Sequence, residues 1–285
     1  MTESEARLQV EPRTGSRIVE ISGTLSGPRC EFSRTLPAEM ASKPIPPSAS
    51  VRCATEIILL EPCYWTPALP FLYDLRFEVQ TEEGASHQLT VELGLRRWSC
   101  AGQSFRLESR RKVLRGMRVK SMAPAELPAA RAAETALVVD CPTQELCNEA
   151  SRLGVILIAD LRTTDKSLQE KIARLEWSPA VFLALVSQEQ LKDPSLEVRK
   201  GHQSMLTLCL SASDTEADRA LLGAEAVAVE LGPSEGPLSW LAEYQRPVIA
   251  IRHGESYSEL NTTRAACDRL QAELAPEFDL AGYFV

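Results

Sequence analysis

Six charged side chains stand at or just beyond the ends of apolar runs in the second half of this chain. They are Asp140 after ALVV, Asp160 after VILIA, Glu189 two residues past AVFLALVS, Glu230 after AVAV, and Arg252 with His253 after VIAI. If the runs are strands of one sheet, their ends bring these groups together. Asp140, Asp160, Glu189, Glu230 and His253 could then surround a cation, since hard cations take carboxylate oxygens and imidazole takes softer ones. Ser211, His253 and Asp160 could be drawn as nucleophile, base and orienting acid. Arg252, His253 and Arg162 would suit an acidic ligand. No G-x-S-x-G, P-loop or G-x-G-x-x-G accompanies them, so the triad has no nucleophile elbow. Carboxylates at strand ends also serve simply to cap the helices that follow, which requires no chemistry.

Positioning such groups needs parallel strands, and beyond about residue 113 the texture fits them. Eight short apolar runs alternate with helical patterns. The runs are VLRGMRV (113–119), ALVVD (136–140), VILIAD (155–160), AVFLALVS (180–187), MLTLCL (205–210), AVAVE (226–230), VIAIR (248–252) and LAGYFV (280–285). Helix signals lie between them. Ser167 with Glu170 makes a capping box ahead of Leu168, Ile172 and Leu175 on one face. Thr143 is placed to cap a helix carrying Leu146, Ala150 and Leu153, and Leu270 with Leu274 marks the last helix. Eight strands closing on themselves make a (β/α)₈ barrel, of TIM type, assigned to residues 104–285. At roughly 170 residues it is smaller than the usual barrel of about 250, so its loops must be short. An open, doubly wound sheet with fewer strands is the alternative.

Residues 1–103 read as a β-sandwich of immunoglobulin-like type. LQVEP, RIVEISGTL, SVRCATEIILL, YDLRFEVQT and HQLTVELGLRRW alternate apolar and polar residues, and Gly, Pro and Ser clusters separate them. YDLRFEVQ and HQLTVELG, joined by TEEGAS, predict a hairpin with Gly84 in its loop. The predicted fold class is therefore multidomain, β followed by α/β.

Composition narrows the function. The 285 residues carry a net charge of −8, which argues against a nucleic-acid partner. Arg106, Arg110, Arg111, Lys112 and Arg115 form the only basic cluster, read as a solvated strand and loop. No apolar stretch is long enough to span a bilayer, and the N-terminus has no apolar h-region, which points to the cytoplasm. Eight cysteines (Cys30, Cys53, Cys63, Cys100, Cys141, Cys147, Cys209 and Cys267) lack C-x-x-C spacing, and in a reducing compartment they read as small buried hydrophobes. The three histidines have no ligand spacing with them, so no structural zinc is expected and no cofactor is implied.

The segment CYWTPALPFLYDLRFEV, residues 63–79, contains Trp65, Pro67, Pro70, Leu72 and Tyr73. It resembles the "W-x-P-x-x-P-x-LY-x-L-x-V" segment of the immunoglobulin-like domain in glycoside hydrolase family 2, the β-galactosidase/β-glucuronidase/β-mannosidase group. The resemblance continues through Gly94, Arg96, Phe105, Leu107, Leu114, Arg115 and Gly116 into the barrel. Glu108-Ser109 stands where the family has Asn-Gly. Further on, Pro142, Cys147, Glu149, Gly154 and Ile158 keep the pattern, with Asp160 at the acidic position ending the third strand. Val139 and Asp140 replace an arginine and a histidine that help shape the family's sugar site. In the fourth strand Gln188 falls on the family's Asn and Glu189 on its general acid/base. In the seventh, Arg246, Pro247 and Gly254 align, but Arg252 falls on the nucleophilic Glu and His253 on a Tyr.

The resemblance implies two catalytic carboxylates, about 5 to 5.5 Å apart in a retaining enzyme. An arginine stays protonated and cannot act as the nucleophile. It would instead pair with Glu189 and hold that acid ionised. The leading expectation is a non-catalytic relative of the family, an interaction or carbohydrate-binding protein with Asp160, Glu230, His253 and Asp140 at its site. The alternative is an active glycosidase, with Glu189 as acid/base and a relocated partner such as Glu230 or Asp160. None of the four tryptophans ends a barrel strand, which disfavours a stacking floor for a sugar. A carbohydrate or a protein is the expected partner, and the sequence leaves the oligomeric state open.

Overall fold

The computed structural model describes residues 4–10, 17–46, 54–164, 168–192, 205–212, 224–237, 239–253 and 260–285. The chain divides into two compact units, residues 1–65 with 69–95, and residues 66–68 with 96–285. Among the described residues no helix is long and apolar enough to cross a membrane.

The first unit is an antiparallel sandwich. One sheet has the order β3-β2-β6-β7, built from Ala38–Ala41, Ile18–Arg29, Leu72–Thr81 and Ser86–Leu93. The other has the order β1-β5-β4, from Glu5–Val10, Ala54–Leu60 and Lys43–Ile45. Alternation of inward and outward residues along each strand supplies the core, which contains Ile21, Leu25, Ile57, Leu59, Leu75 and Phe77. The β6–β7 hairpin forms as predicted, with Gly84 at φ +79° in its loop. The Trp65/Tyr73 motif serves packing. Both rings are buried, and the Tyr73 hydroxyl accepts from Cys63 N at 2.9 Å. The short strands β3 and β4 escaped the sequence reading, because Ala38–Ala41 and Lys43–Ile45 are too brief to show a period.

The second unit opens with a small antiparallel sheet, β8 (Trp98–Ala101), β9 (Ser104–Leu107) and β10 (Arg110–Lys112). Trp98 packs tilted and Phe105 edge-on against Phe182, with centroids 3.9 and 4.9 Å away, and the partly buried Arg96 donates to the carbonyls of Pro179 and Val181 at 2.6 and 2.8 Å. These contacts explain why residues 96–103 group with the second unit, whereas the sequence reading placed a boundary after residue 103.

The rest is a closed parallel barrel of eight strands. They are β11 (Leu114–Val119), β12 (Ala136–Asp140), β13 (Leu157–Asp160), β14 (Val181–Val186), β15 (Met205–Ser211), β16 (Ala226–Leu231), β17 (Val248–Arg252) and β18 (Gly282–Phe284). All eight predicted runs are barrel strands, and β18 pairs with both β17 and β11 to complete the ring. Near-continuous apolar sequence suits them because both faces are covered. Between β11 and β12, a Cβ on Gly116 would lie 2.0 Å from Ala136 O, so only glycine lets the strands approach there.

Helices α1 (Leu127–Ala132), α2 (Gln144–Leu153), α3 (Leu168–Leu175), α4 (Gln188–Leu191) and α5 (Leu260–Leu274) lie outside the strands in sequence. Thr143 caps α2 as predicted, its hydroxyl accepting from Leu146 N at 3.2 Å. Leu168, Ile172 and Leu175 of α3, and Leu270 and Leu274 of α5, face inward. The capping residue proposed for α3, Ser167, lies outside the described residues.

Candidate functional site: a charge cage at the barrel mouth

Parallel strands end on one side of the barrel, and the C-terminal ends of β11, β12, β13 and β16 carry Arg118, Asp140, Asp160 and Glu230. Arg162 follows β13 and His253 follows β17. Asp140 and Asp160 are register partners on adjacent strands. Like charges so placed repel one another, and Arg118 resolves the repulsion. Its Nη2 donates to Asp140 Oδ1 at 2.9 Å and to Asp160 Oδ2 at 2.6 Å, while its Nη1 donates to Glu230 Oε1 at 2.8 Å.

A second guanidinium closes the cage. Arg162 grips Asp160 in a fork, Nε to Oδ1 at 3.0 Å and Nη2 to Oδ2 at 2.7 Å. It grips Glu230 in the same way, Nη1 to Oε2 at 3.0 Å and Nη2 to Oε1 at 2.6 Å. The paired fork geometry is the strongest form of this contact. His253 stands at the rim, with Nε2 3.3 Å from Glu230 Oε1.

Burial sets the electrostatics. The Asp160 side chain is only 3% exposed, and burial alone would favour its neutral form. Hydrogen bonds and charge from Arg162, with the charge of Arg118, outweigh that and hold its pKa below the ordinary carboxylate range. Glu230 is likewise disfavoured as an anion by burial, yet Arg162, His253 and Arg118 bring its pKa below the usual value. Burial works against the charged form of Arg118, and its three acidic neighbours reverse this and raise its pKa. The half-buried Cys209 thiol, beside the cage on β15, is pushed up to about 12 by desolvation and then by the Glu230 charge. Such a thiol is inert at neutral pH.

The four residues predicted to line the site, Asp140, Asp160, Glu230 and His253, thus fall in one network. Glu189 and Arg252 do not join it. Glu189 is exposed at the start of α4, where Ser187 is the capping residue. Arg252 was expected to pair with Glu189. Its Nη1 instead donates to Glu273 Oε2 of α5 at 2.5 Å, and its Nη2 to Glu235 O at 2.8 Å. The reason is the pleat. Alternate residues of a strand point to opposite faces, and Arg252 takes the face toward α5. The Ser211/His253/Asp160 triad is also redrawn, because His253 meets Glu230 and Asp160 is occupied by the two arginines. Gly254 lies outside the described residues. Among the described residues, no group of three or more His, Cys, Asp or Glu is placed to hold a metal ion.

Arg118 was missed by the sequence reading. Its signal was a cation one residue from the end of the run VLRGMRV, with carboxylates ending the two runs that follow.

Comparison with solved structures places this architecture. A Bifidobacterium dentium β-glucuronidase solved with coumarin-3-O-glucuronide superposes with a TM-score of 0.68 at 13% identity, covering 99% of this chain and 56% of that one. The fold is that of glycoside hydrolase family 2. A Parabacteroides merdae β-glucuronidase gives a TM-score of 0.64 at 11% identity, over 100% of this chain and 45% of that one. A family 2 member from Bacteroides cellulosilyticus gives 0.62 at 14% identity, over 99% and 42%. The chain therefore spans about half the length of these structures. No family model matches the chain, and no curated protein matches it. At these identities the likeness concerns the fold, an immunoglobulin-like sandwich with a TIM-type barrel.

Proposed function

We propose that this chain is a non-catalytic relative of the family 2 glycoside hydrolases, acting through binding rather than bond cleavage. The supporting observation is the cage itself. Arg118 and Arg162 stand at the barrel mouth and tie Asp160 to Glu230, where a glycosidase of this fold needs free carboxylates beside a sugar ring. Arg252, at the position matching the nucleophile, is directed to Glu273. Glu189, at the position matching the acid/base, is exposed to solvent. Carboxylates engaged by arginines are poorly placed to act on a sugar inside the barrel, so the reading prefers a protein partner or a carbohydrate held on the outer surface.

One observation favours hydrolysis. Asp160 Oδ2 and Glu230 Oε1 share Arg162 Nη2, at 2.7 and 2.6 Å, and so stand no farther apart than the sum of those distances. That upper bound is compatible with the separation of about 5 to 5.5 Å used by retaining enzymes. The mechanism also needs one carboxyl protonated at working pH, and the arginines hold both ionised. Incubation with a panel of aryl β-glycosides, β-glucuronide included, separates the two readings. The expected result is no release of aryl alcohol above the protein-free rate. Turnover that disappears in Glu230→Gln would establish the hydrolase reading instead.

A further inference from the structure

The opposite end of the barrel has a different charge pattern. A cleft of about 320 Å³ opens at the N-terminal ends of β11, β12 and β13, walled in part by Leu114, Ala136 and Ile156. Its charged lining residues are Lys112, Arg115, Arg131, Arg264 and Glu134. Four cations thus face one carboxylate, on a chain whose net charge is −8. Asp268 at the rim binds Arg115 at 2.7 Å, and with Glu134 it still leaves two positive charges in excess.

The cations are largely held in position. Arg131 Nη1 donates to Pro67 O at 2.9 Å and also to Leu153 O. Gly154 makes that approach possible, since a Cβ there would lie 2.8 Å from Arg131 Nη1 and 2.3 Å from Pro67 O. Its φ of +73° also ends α2 in the left-handed cap that favours glycine. Arg264 is steadied by Glu134 at 3.1 Å. Lys112, on the exposed strand β10, makes no ion pair with any described residue. A concave site lined by cations of one sign focuses anions toward it. Anchored guanidiniums also lose little freedom when a ligand arrives.

We propose that this cleft binds a small phosphate-bearing ligand, read by Lys112, Arg115, Arg131 and Arg264. The charge excess selects the class. A phosphate monoester carries about −1.5 to −2 near neutral pH and neutralises the excess, which a single carboxylate would leave half unmet. The volume lies at the lower end of small-molecule pockets and sets the size. The overall negative charge opposes a long polyanion such as nucleic acid.

Calorimetric titration of the full chain tests the assignment, with inorganic phosphate, glycerol phosphate and plain glycerol as probes at low salt. Saturable 1:1 binding of the two phosphate probes is expected, with none for glycerol and weaker binding as sodium chloride is raised. Tighter binding of the ester would identify the ligand form as an ester, and tighter binding of the free anion would identify it as phosphate. Lys112→Glu lies on an exposed strand and should fold normally, with its phosphate affinity lowered about tenfold, near the 1.4 kcal/mol of one charged contact. Arg264→Gln should lower affinity a few-fold. Absence of saturable phosphate binding overturns the proposal. So does binding that both variants leave unchanged, because the anion would then sit elsewhere.

Discussion

At the C-terminal end of the barrel two guanidiniums are enclosed by three carboxylates, whereas at the N-terminal end four cations surround a cleft with one carboxylate in its lining. The ends differ in what their charges are used for. Asp160 is almost fully buried, so an ionised carboxylate there persists only because Arg118 and Arg162 meet it directly. That electrostatic energy is spent inside the fold. At the other end the guanidiniums lean on backbone carbonyls and rim carboxylates, and positive charge is left over. The residues that look most catalytic in sequence therefore form the more saturated site, and Lys112 and Arg115, which in sequence belong to a solvated basic cluster, line the more available one with Arg131 and Arg264.

The largest test of this contrast is Arg118→Met. It leaves Asp140, Asp160 and Glu230 facing one another with Arg162 alone, and should cost about 3 kcal/mol in urea unfolding, as expected when a buried ion pair loses one member. Arg118→Lys should recover only part of this, because an ammonium cannot reproduce the three-way fork. A loss under about 0.5 kcal/mol would mean that the cage is surface decoration and that the ends do not differ.

Acid sharpens the comparison next. Asp160 and Glu230 titrate below their ordinary values in the folded chain and at about 4 when unfolded. Their stabilisation is thus complete above about pH 4 to 5 and is lost as pH falls through the lower folded values. Thermal unfolding followed against pH should show a plateau near neutrality and a fall below about pH 4. The double variant Asp160→Asn, Glu230→Gln should start lower and fall less steeply. An equal slope in both proteins would move the acid sensitivity away from the cage.

Arg252→Glu has a smaller consequence. It breaks the pair with the half-exposed Glu273 and places two acids together, costing about 1 kcal/mol. It restores the family's nucleophile type without a free sugar site, so no aryl glycosidase activity should appear, and any measurable turnover would contradict the non-catalytic reading. Smallest of all, Lys112→Glu should change stability by less than about 0.5 kcal/mol, since it removes a cation from a crowded positive cleft and breaks no packing. A marked loss of stability there would recast the cleft as a structural feature.

Much of the architecture was legible because it rests on local pattern. The eight apolar runs became the eight barrel strands, the β6–β7 hairpin followed its turn glycine, and Thr143 capped α2. The β8–β10 sheet is not legible in the sequence, where the Arg106–Arg115 cluster reads as solvated strand and loop, since its identity depends on Trp98 and Phe105 finding Phe182, more than 70 residues away. Of the site, the carboxylates at strand ends were visible, but their partner Arg118 was hidden inside a strand and Arg252 was assigned to the wrong neighbour.

By itself, then, the sequence determined which segments are the eight barrel strands, that the second half is a parallel barrel, and that Asp140, Asp160, Glu230 and His253 share one rim. Period and run length encode those features, and parallel strands put their ends together wherever the chain closes. Only the tertiary structure decided that two arginines neutralise the rim, that Arg252 turns to Glu273, and that Lys112, Arg115, Arg131 and Arg264 converge on one cleft. Those outcomes depend on side-chain direction, burial and contacts between residues from 2 to more than 150 positions apart, which no local pattern carries.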